Sequence, residues 1–220
     1  GFVANTAHHA DVGGRVPGSE SGDSVSIFQD GLRLPLVRVM HKNRLEEGIF
    51  QTILLNSRTP RERTGDLRAQ FSANRAGTRR MQEIYRQYGA EVLARGMSDI
   101  LAYSERRIRE GIAALPDGVY EAEGFCDDDG LTARPVRIHV KVGVLGDHVT
   151  VDFEGTEAQV PGAKNVPPVS LLATVYYVIK AVVDPDIPPN AGYYRAISVH
   201  APRGPMLNPN PPAALAARLP

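Results

Sequence analysis

Two imidazoles and a carboxylate fall within four residues near the start of the chain, in the run His8-His9-Ala10-Asp11-Val12-Gly13-Gly14, with Pro17-Gly18-Ser19 just beyond. Nitrogen and oxygen donors at the end of an extended segment suit a borderline divalent metal such as zinc, manganese or iron, and the same groups can move protons. Neighbouring side chains on an extended chain point to opposite faces, so at most one of the two histidines serves a given metal. His9 and Asp11 share the other face. The glycine pair lets the backbone turn sharply after them. A structural histidine, hydrogen-bonded beside a glycine turn, fits the same spacing. No His-Glu-x-x-His and no paired Cys-x-x-Cys occurs.

The elements that must carry this run follow from periodicity. Short extended pieces are expected at residues 1–7 and 35–40, and a helix at 45–55 with Leu45, Ile49, Thr52 and Ile53 near one face. Thr59-Pro60-Arg61-Glu62 reads as a capping box with proline at the first helical position. Beyond it Leu67, Phe71, Asn74, Thr78, Met81, Tyr85 and Tyr88 recur at spacings of three and four. A second helix carries Leu93, Met97, Ile100, Leu101, Ile108, Ile112 and Leu115 before Pro116-Asp117-Gly118. Joined near Gly89, the two predict an antiparallel pair whose stripes are core.

Past Pro116 the pattern becomes strand-like at residues 119–127, 135–144 and 148–153, separated by Asp128-Asp129-Gly130 and Gly146-Asp147 turns. An apolar helix at 170–183 ends before Pro185, a rigid loop spans Pro188-Pro189-Asn190-Ala191-Gly192, and residues 196–201 read as a last strand. Helices grouped together and strands grouped together predict an α+β fold, a long antiparallel helix pair with a mostly antiparallel sheet. Residues 1–116 hold the motif loop and the helices, and 117–220 the meander with its apolar helix, as two regions or one continuous domain. The sequence opens inside a strand-like stretch and stops without a closing element, so truncation at both ends is expected.

Composition limits the function classes. Among the 220 residues, 25 lysines and arginines balance 25 aspartates and glutamates, which argues against a nucleic-acid partner held by bulk charge. No apolar run approaches the roughly 20 residues that span a bilayer, so no membrane role is expected. Cys126 is the only cysteine, which excludes an intrachain disulfide and suits a reducing, cytoplasmic setting; it reads as a packed thiol.

The His8–Gly14 run does not stand alone. It is followed in order by Ile27-Phe28-Gln29-Asp30-Gly31-Leu32-Arg33, Asn56-Ser57-Arg58-Thr59-Pro60, Gly65-Asp66-Leu67-Arg68-Ala69-Gln70 and Tyr103-Ser104-Glu105. Leu115-Pro116-Asp117-Gly118, Val151-Asp152-Phe153-Glu154-Gly155, Asp184-Pro185-Asp186-Ile187-Pro188 and Asn190-Ala191-Gly192 complete the series. Together these segments resemble the hydantoinase B/oxoprolinase family, which includes B-type subunits of ATP-dependent N-methylhydantoinases, the matching half of 5-oxoprolinase, and large subunits of acetone and acetophenone carboxylases. The resemblance implies an ATP-dependent hydrolase that opens a small cyclic amide, a hydantoin or 5-oxoproline, within a hetero-oligomer. An A-type subunit binds ATP and activates the substrate. It also implies a divalent metal with His8 as the ligand carried by this chain, the remaining ligands lying upstream in a His-x-x-Asp pair and an acidic residue. His9 and Asp11 are then the candidates for orienting water or transferring protons, and Asp66, Arg68 and Gln70 the candidates for lining the substrate. A ketone carboxylase subunit and a non-catalytic assembly remnant are the alternative readings.

Other polar residues have simpler explanations. Asp66 also suits a helix cap, and Arg75, Arg79 and Arg80 suit a solvated helix face better than a phosphate site. Asp127-Asp128-Asp129-Gly130 lacks the later ligands of a calcium loop and reads as a hairpin turn. Asn165 and Asn190 suit turns, and His41, His139, His148 and His200 suit structural or exposed positions.

Overall fold

The computed structural model describes residues 2–217; Gly1, where the expected opening strand begins, and residues 218–220 lie outside them. From Phe2 to Ala7 the chain forms no strand. The side chain of Asn5 is bonded to Gln70 and Asn74 of a helix instead. The strand expected at 35–40 shrinks to a small hairpin, β1 (Met40–His41) against β2 (Arg44–Leu45). Lys42 and Asn43 between them both hold positive φ, the geometry of a tight two-residue turn. Helix α1 (Glu47–Leu55) follows and buries Phe50.

Helix α2 (Pro60–Ala113) starts on its proline as expected, but Thr59 makes no side-chain cap. Ser57 displaces it: its hydroxyl accepts from the Thr59 amide at 3.2 Å, a local turn that competes with the capping box. At Gly89 the backbone leaves the helical region (φ 80°, ψ 169°) and divides α2 into two arms. Thr78, Met81, Tyr85, Leu93 and Met97 line one groove from both sides of this break. In a straight helix Thr78 and Met97 would stand roughly 28 Å apart, so the chain turns back at Gly89. The apolar stripes differ from the expected core. The buried residues of α2 are Arg63, Ser104, Ile108 and Ile112, while Tyr85, Tyr88, Met97 and Ile100 are exposed. Paired arms cover each other along a seam and not over a full face, and of the described residues of α2 it is Ile108 and Ile112, in its last turns, that enter the sheet-side core.

The sheet has four strands in the order β3 (Gly118–Cys126), β4 (Val136–Leu145), β5 (His148–Asp152), β6 (Ile197–His200). The first three strands form the expected antiparallel meander, with Tyr120 opposite Val142 and Val142 opposite Val151. The β6 strand joins β5 in parallel, Val149 facing Ile197, because the intervening chain crosses over through helix α3 (Pro168–Val183). Alternation along β5 buries Val149 and Val151 and leaves Thr150 outside. These valines, Val144 and Ile197 pack with Leu171 and Val175 of α3 and with Ile108 and Ile112 of α2 in one core. The loop expected at 188–192 contains the start of a one-turn helix, α4 (Ala191–Tyr194), capped by the Asn190 side chain, which accepts from the Gly192 amide at 2.9 Å. The α+β architecture is therefore observed. Among the described residues, no helix is long and apolar enough to cross a membrane.

Candidate functional site

The His8–Gly14 run lies against the first arm of α2. Residues 63, 66, 70 and 74 recur at helical spacing and form one polar face. Asn5 donates to Asn74 Oδ1 at 2.7 Å and to the Gln70 carbonyl at 3.0 Å, while Gln70 Nε2 donates to Asn5 Oδ1 at 3.0 Å. One turn toward the helix start, Asp66 and Arg63 flank His9: Arg63 Nη1 meets His9 Nδ1, and Asp66 Oδ2 lies 3.7 Å from the same nitrogen. Arg63 also donates to Asp66 at 3.2 Å and to the Asp11 carbonyl at 2.5 Å. The segment is thus fastened along the helix by side chains rather than paired as a strand.

Asp11 anchors the turn that follows. Its buried carboxylate accepts from the amides of Gly13 (3.0 Å), Gly18 (3.0 Å) and Arg58 (3.1 Å), and from Arg58 Nη1 (3.1 Å). Burial pushes the carboxyl pKa up, but the amides of Gly13, Arg58 and Gly18 and the Arg58 guanidinium outweigh it, lowering the value from 3.8 to about 2. Arg58 goes on to the carbonyls of Gly13 (3.1 Å), Val16 (2.9 Å) and Gly14 (2.5 Å). Ser19 closes the loop, accepting from the Val12 amide at 2.8 Å and donating to the Gly13 carbonyl at 2.7 Å. Gly13 and Gly14 sit at φ 91° and 83°, where a side chain is strained, so the glycine pair does make the sharp turn. Three separated motifs, those at His8–Gly14, Pro17–Ser19 and Asn56–Pro60, form one hydrogen-bonded knot. The Ile27–Arg33 motif backs it, with Arg15 N on the Gln29 carbonyl (3.1 Å) and Leu32 N on the Val12 carbonyl (2.8 Å).

The structure brings His9 and Asp66 together at Arg63 and sets Gln70 one turn further along the same helix face, while the Asp11 carboxylate turns into the loop knot. His8 is exposed, and Arg68 is exposed on the same arm. Asp66 lies a full turn inside α2 and pairs with Arg63, so it does not cap the helix. Among the described residues, no group of three or more His, Cys, Asp or Glu side chains stands close enough to hold a metal. The remaining polar candidates follow their simpler readings. Asp129 Oδ1 accepts from the amides of Leu131 and Thr132, and Asn165 bonds Val160, Gly162 and Ala214 within a buried turn. His139 meets the Glu154 carbonyl, His148 meets Ser198, and His200 meets Asp152.

Two residues central to the site carry no role that the sequence alone announces. Arg58 sits unremarked inside a motif, and Arg63 lies outside all of them. The signal for Arg63 is its place one turn before Asp66, on the face that Gln70 and Asn74 continue.

The hydantoinase B/oxoprolinase family model matches residues 1–219. A putative B-type subunit of a D-/L-hydantoinase, from Pseudomonas sp. (strain NS671), is 35% identical over 233 residues, covering 99% of this chain and 39% of its own length. The chain therefore spans about two fifths of that relative. The crystal structure of an ATP-dependent caprolactamase from Pseudomonas jessenii superposes with a TM-score of 0.88 at 28% identity, over 96% of this chain and 36% of that one. A nucleotide-free acetone carboxylase shares the fold, with a TM-score of 0.86 at 19% identity over 96% of this chain and 30% of the other. The chain belongs to the hydantoinase B/oxoprolinase family.

Proposed function

We propose that this chain supplies the His8–Asp11 face of a B-type subunit in an ATP-dependent amidohydrolase. The enzyme would open a small cyclic amide, a hydantoin or 5-oxoproline ring, after an A-type partner has used ATP to activate it. One observation carries the reading: the family's histidine run is fastened to the helix face that bears Asp66 and Gln70, so half-buried His9 is held on that face while its neighbour His8 is exposed. The hydantoinase and caprolactamase names of the similar proteins support a cyclic amide as substrate. In this reading His9 meets a substrate oxygen, Asp11 holds the loop behind it, and Asp66, Arg68 and Gln70 border the substrate. The single cysteine and the balanced charge suit a cytoplasmic hetero-oligomer.

A divalent metal is part of what the family resemblance implies, but the described residues do not build a site for one. A single imidazole seldom holds an ion that asks for three or four ligands. If a metal sits at this face, His8 is the exposed imidazole that the family resemblance assigns to it, while His9 Nδ1 is engaged by Arg63. Metal content of the full-length protein should fall on His8→Ala and stay unchanged on His41→Ala; equal content in all three removes His8 from the role.

The functional test combines full-length protein, its A-type partner and ATP with hydantoin, 5-oxoproline and caprolactam, and follows ring-opened product. ATP-dependent ring opening is expected. Ketone carboxylation without ring opening moves the chain to the carboxylases, and silence with every substrate moves it to an assembly role.

A further inference from the structure

Arg63 is a cation with 2% of its surface exposed, placed between three groups of the proposed site. One terminal nitrogen donates to the Asp11 carbonyl at 2.5 Å, and the other faces both Asp66 Oδ2, at 3.2 Å, and His9 Nδ1. Its Nε is buried with no partner among the described residues, so the two terminal nitrogens alone orient the guanidinium. A guanidinium carries only donors, so whatever faces it must present a lone pair. The Nδ1 of His9 is therefore the bare ring nitrogen, and the ring proton belongs on Nε2.

The competing arrangement is an aspartate–histidine pair, in which Nδ1–H points at Asp66 and leaves Nε2 bare as a base. Asp66 Oδ2 stands 3.7 Å from Nδ1, beyond hydrogen-bond length, and is already bonded to Arg63. We propose that Arg63 is the positioning residue of this site: it fixes His9 with its proton on Nε2, so that His9 meets the substrate as a hydrogen-bond donor to an oxygen gaining negative charge. No proton leaves the substrate through His9 in this arrangement. A fixed donor aimed at developing charge is a strong catalytic device in its own right. The assignment rests on the reading that His9 faces the substrate, and it specifies what His9 does there.

Neutron diffraction from deuterium-exchanged crystals of the full-length protein locates the proton without any turnover. Deuterium on Nε2 of His9, with a deuterium of Arg63 directed at Nδ1, is the expected result. Deuterium on Nδ1, alone or together with Nε2, overturns the proposal. In the assembled enzyme, His9→Gln keeps a donor amide but cannot act as a base, so kcat should fall by about tenfold or less, against about 10²–10³-fold for His9→Ala. Arg63→Met should then lower kcat markedly with His9 present and little in the His9→Gln background. Equal losses for His9→Gln and His9→Ala also overturn it. An assembled enzyme that opens no cyclic amide counts against the proposed function alone, since the neutron result stands apart from turnover.

Discussion

A carboxylate offers about four lone-pair positions, and at Asp11 three backbone amides and a guanidinium occupy them. Such a group is poorly placed to take a proton from substrate and well placed to hold a loop. Its carboxyl sits near 2 instead of 3.8, so the unfolded chain binds this proton more readily than the folded one. The stability it contributes is complete above about pH 4 and disappears as pH falls toward 2. Asp11→Asn should therefore lower stability at pH 7 by about 2 kcal/mol, and the gap to the parent protein should close between about pH 4 and pH 2. Denaturant unfolding of the full-length protein across that range measures it, and a gap independent of pH contradicts this account. His8 and His9 are legible in the sequence as candidates for chemistry, because their types and adjacency are enough to single them out. The knot behind them is not: it depends on Arg58, 47 positions from Asp11, and no local pattern announces that closure.

At the scale of elements, the Tyr103–Glu105 and Asn190–Gly192 motifs, away from the site, join helix α2 to the start of α4. Ser104 accepts from Asn190 Nδ2 at 2.8 Å, and its own hydroxyl reaches the Pro188 carbonyl at 3.4 Å. Gly192 packs so closely on α2 that a Cβ there would stand 1.9 Å from the Leu101 carbonyl oxygen, whereas one at Gly124 meets nothing within 4 Å. Gly192→Ala should cost about 1–3 kcal/mol by overpacking. Gly124→Ala should leave the melting temperature nearly unchanged, and equal shifts for the two contradict the packing described. The strands are readable because β-branched alternation and the turns at Asp128–Gly130 and Gly146–Asp147 speak locally. The opening segment misleads because Phe2 and Val3 look strand-like while Asn5, a helix partner, decides the structure. The stripe from Leu67 to Ile100 reads as core because periodicity reports a preferred face and not whether a third layer arrives to cover it.

At the scale of the molecule, one core ties the last turns of α2 to the sheet and α3, and the site residues on the first arm are not among its members. Truncating His9 is therefore expected to leave the sheet folded, and surface charge elsewhere on the arm to be dispensable. Arg79 and Arg80, exposed and paired with Glu83, are the natural controls. The most direct measurement is the rate of ATP-dependent ring opening by the full-length protein with its A-type partner, compared between parent, His9→Ala and Arg79→Ala. Turnover is expected in the parent, with a loss of about 10²–10³-fold on His9→Ala and no more than a marginal change on Arg79→Ala. Ring opening at the parent rate by His9→Ala contradicts it.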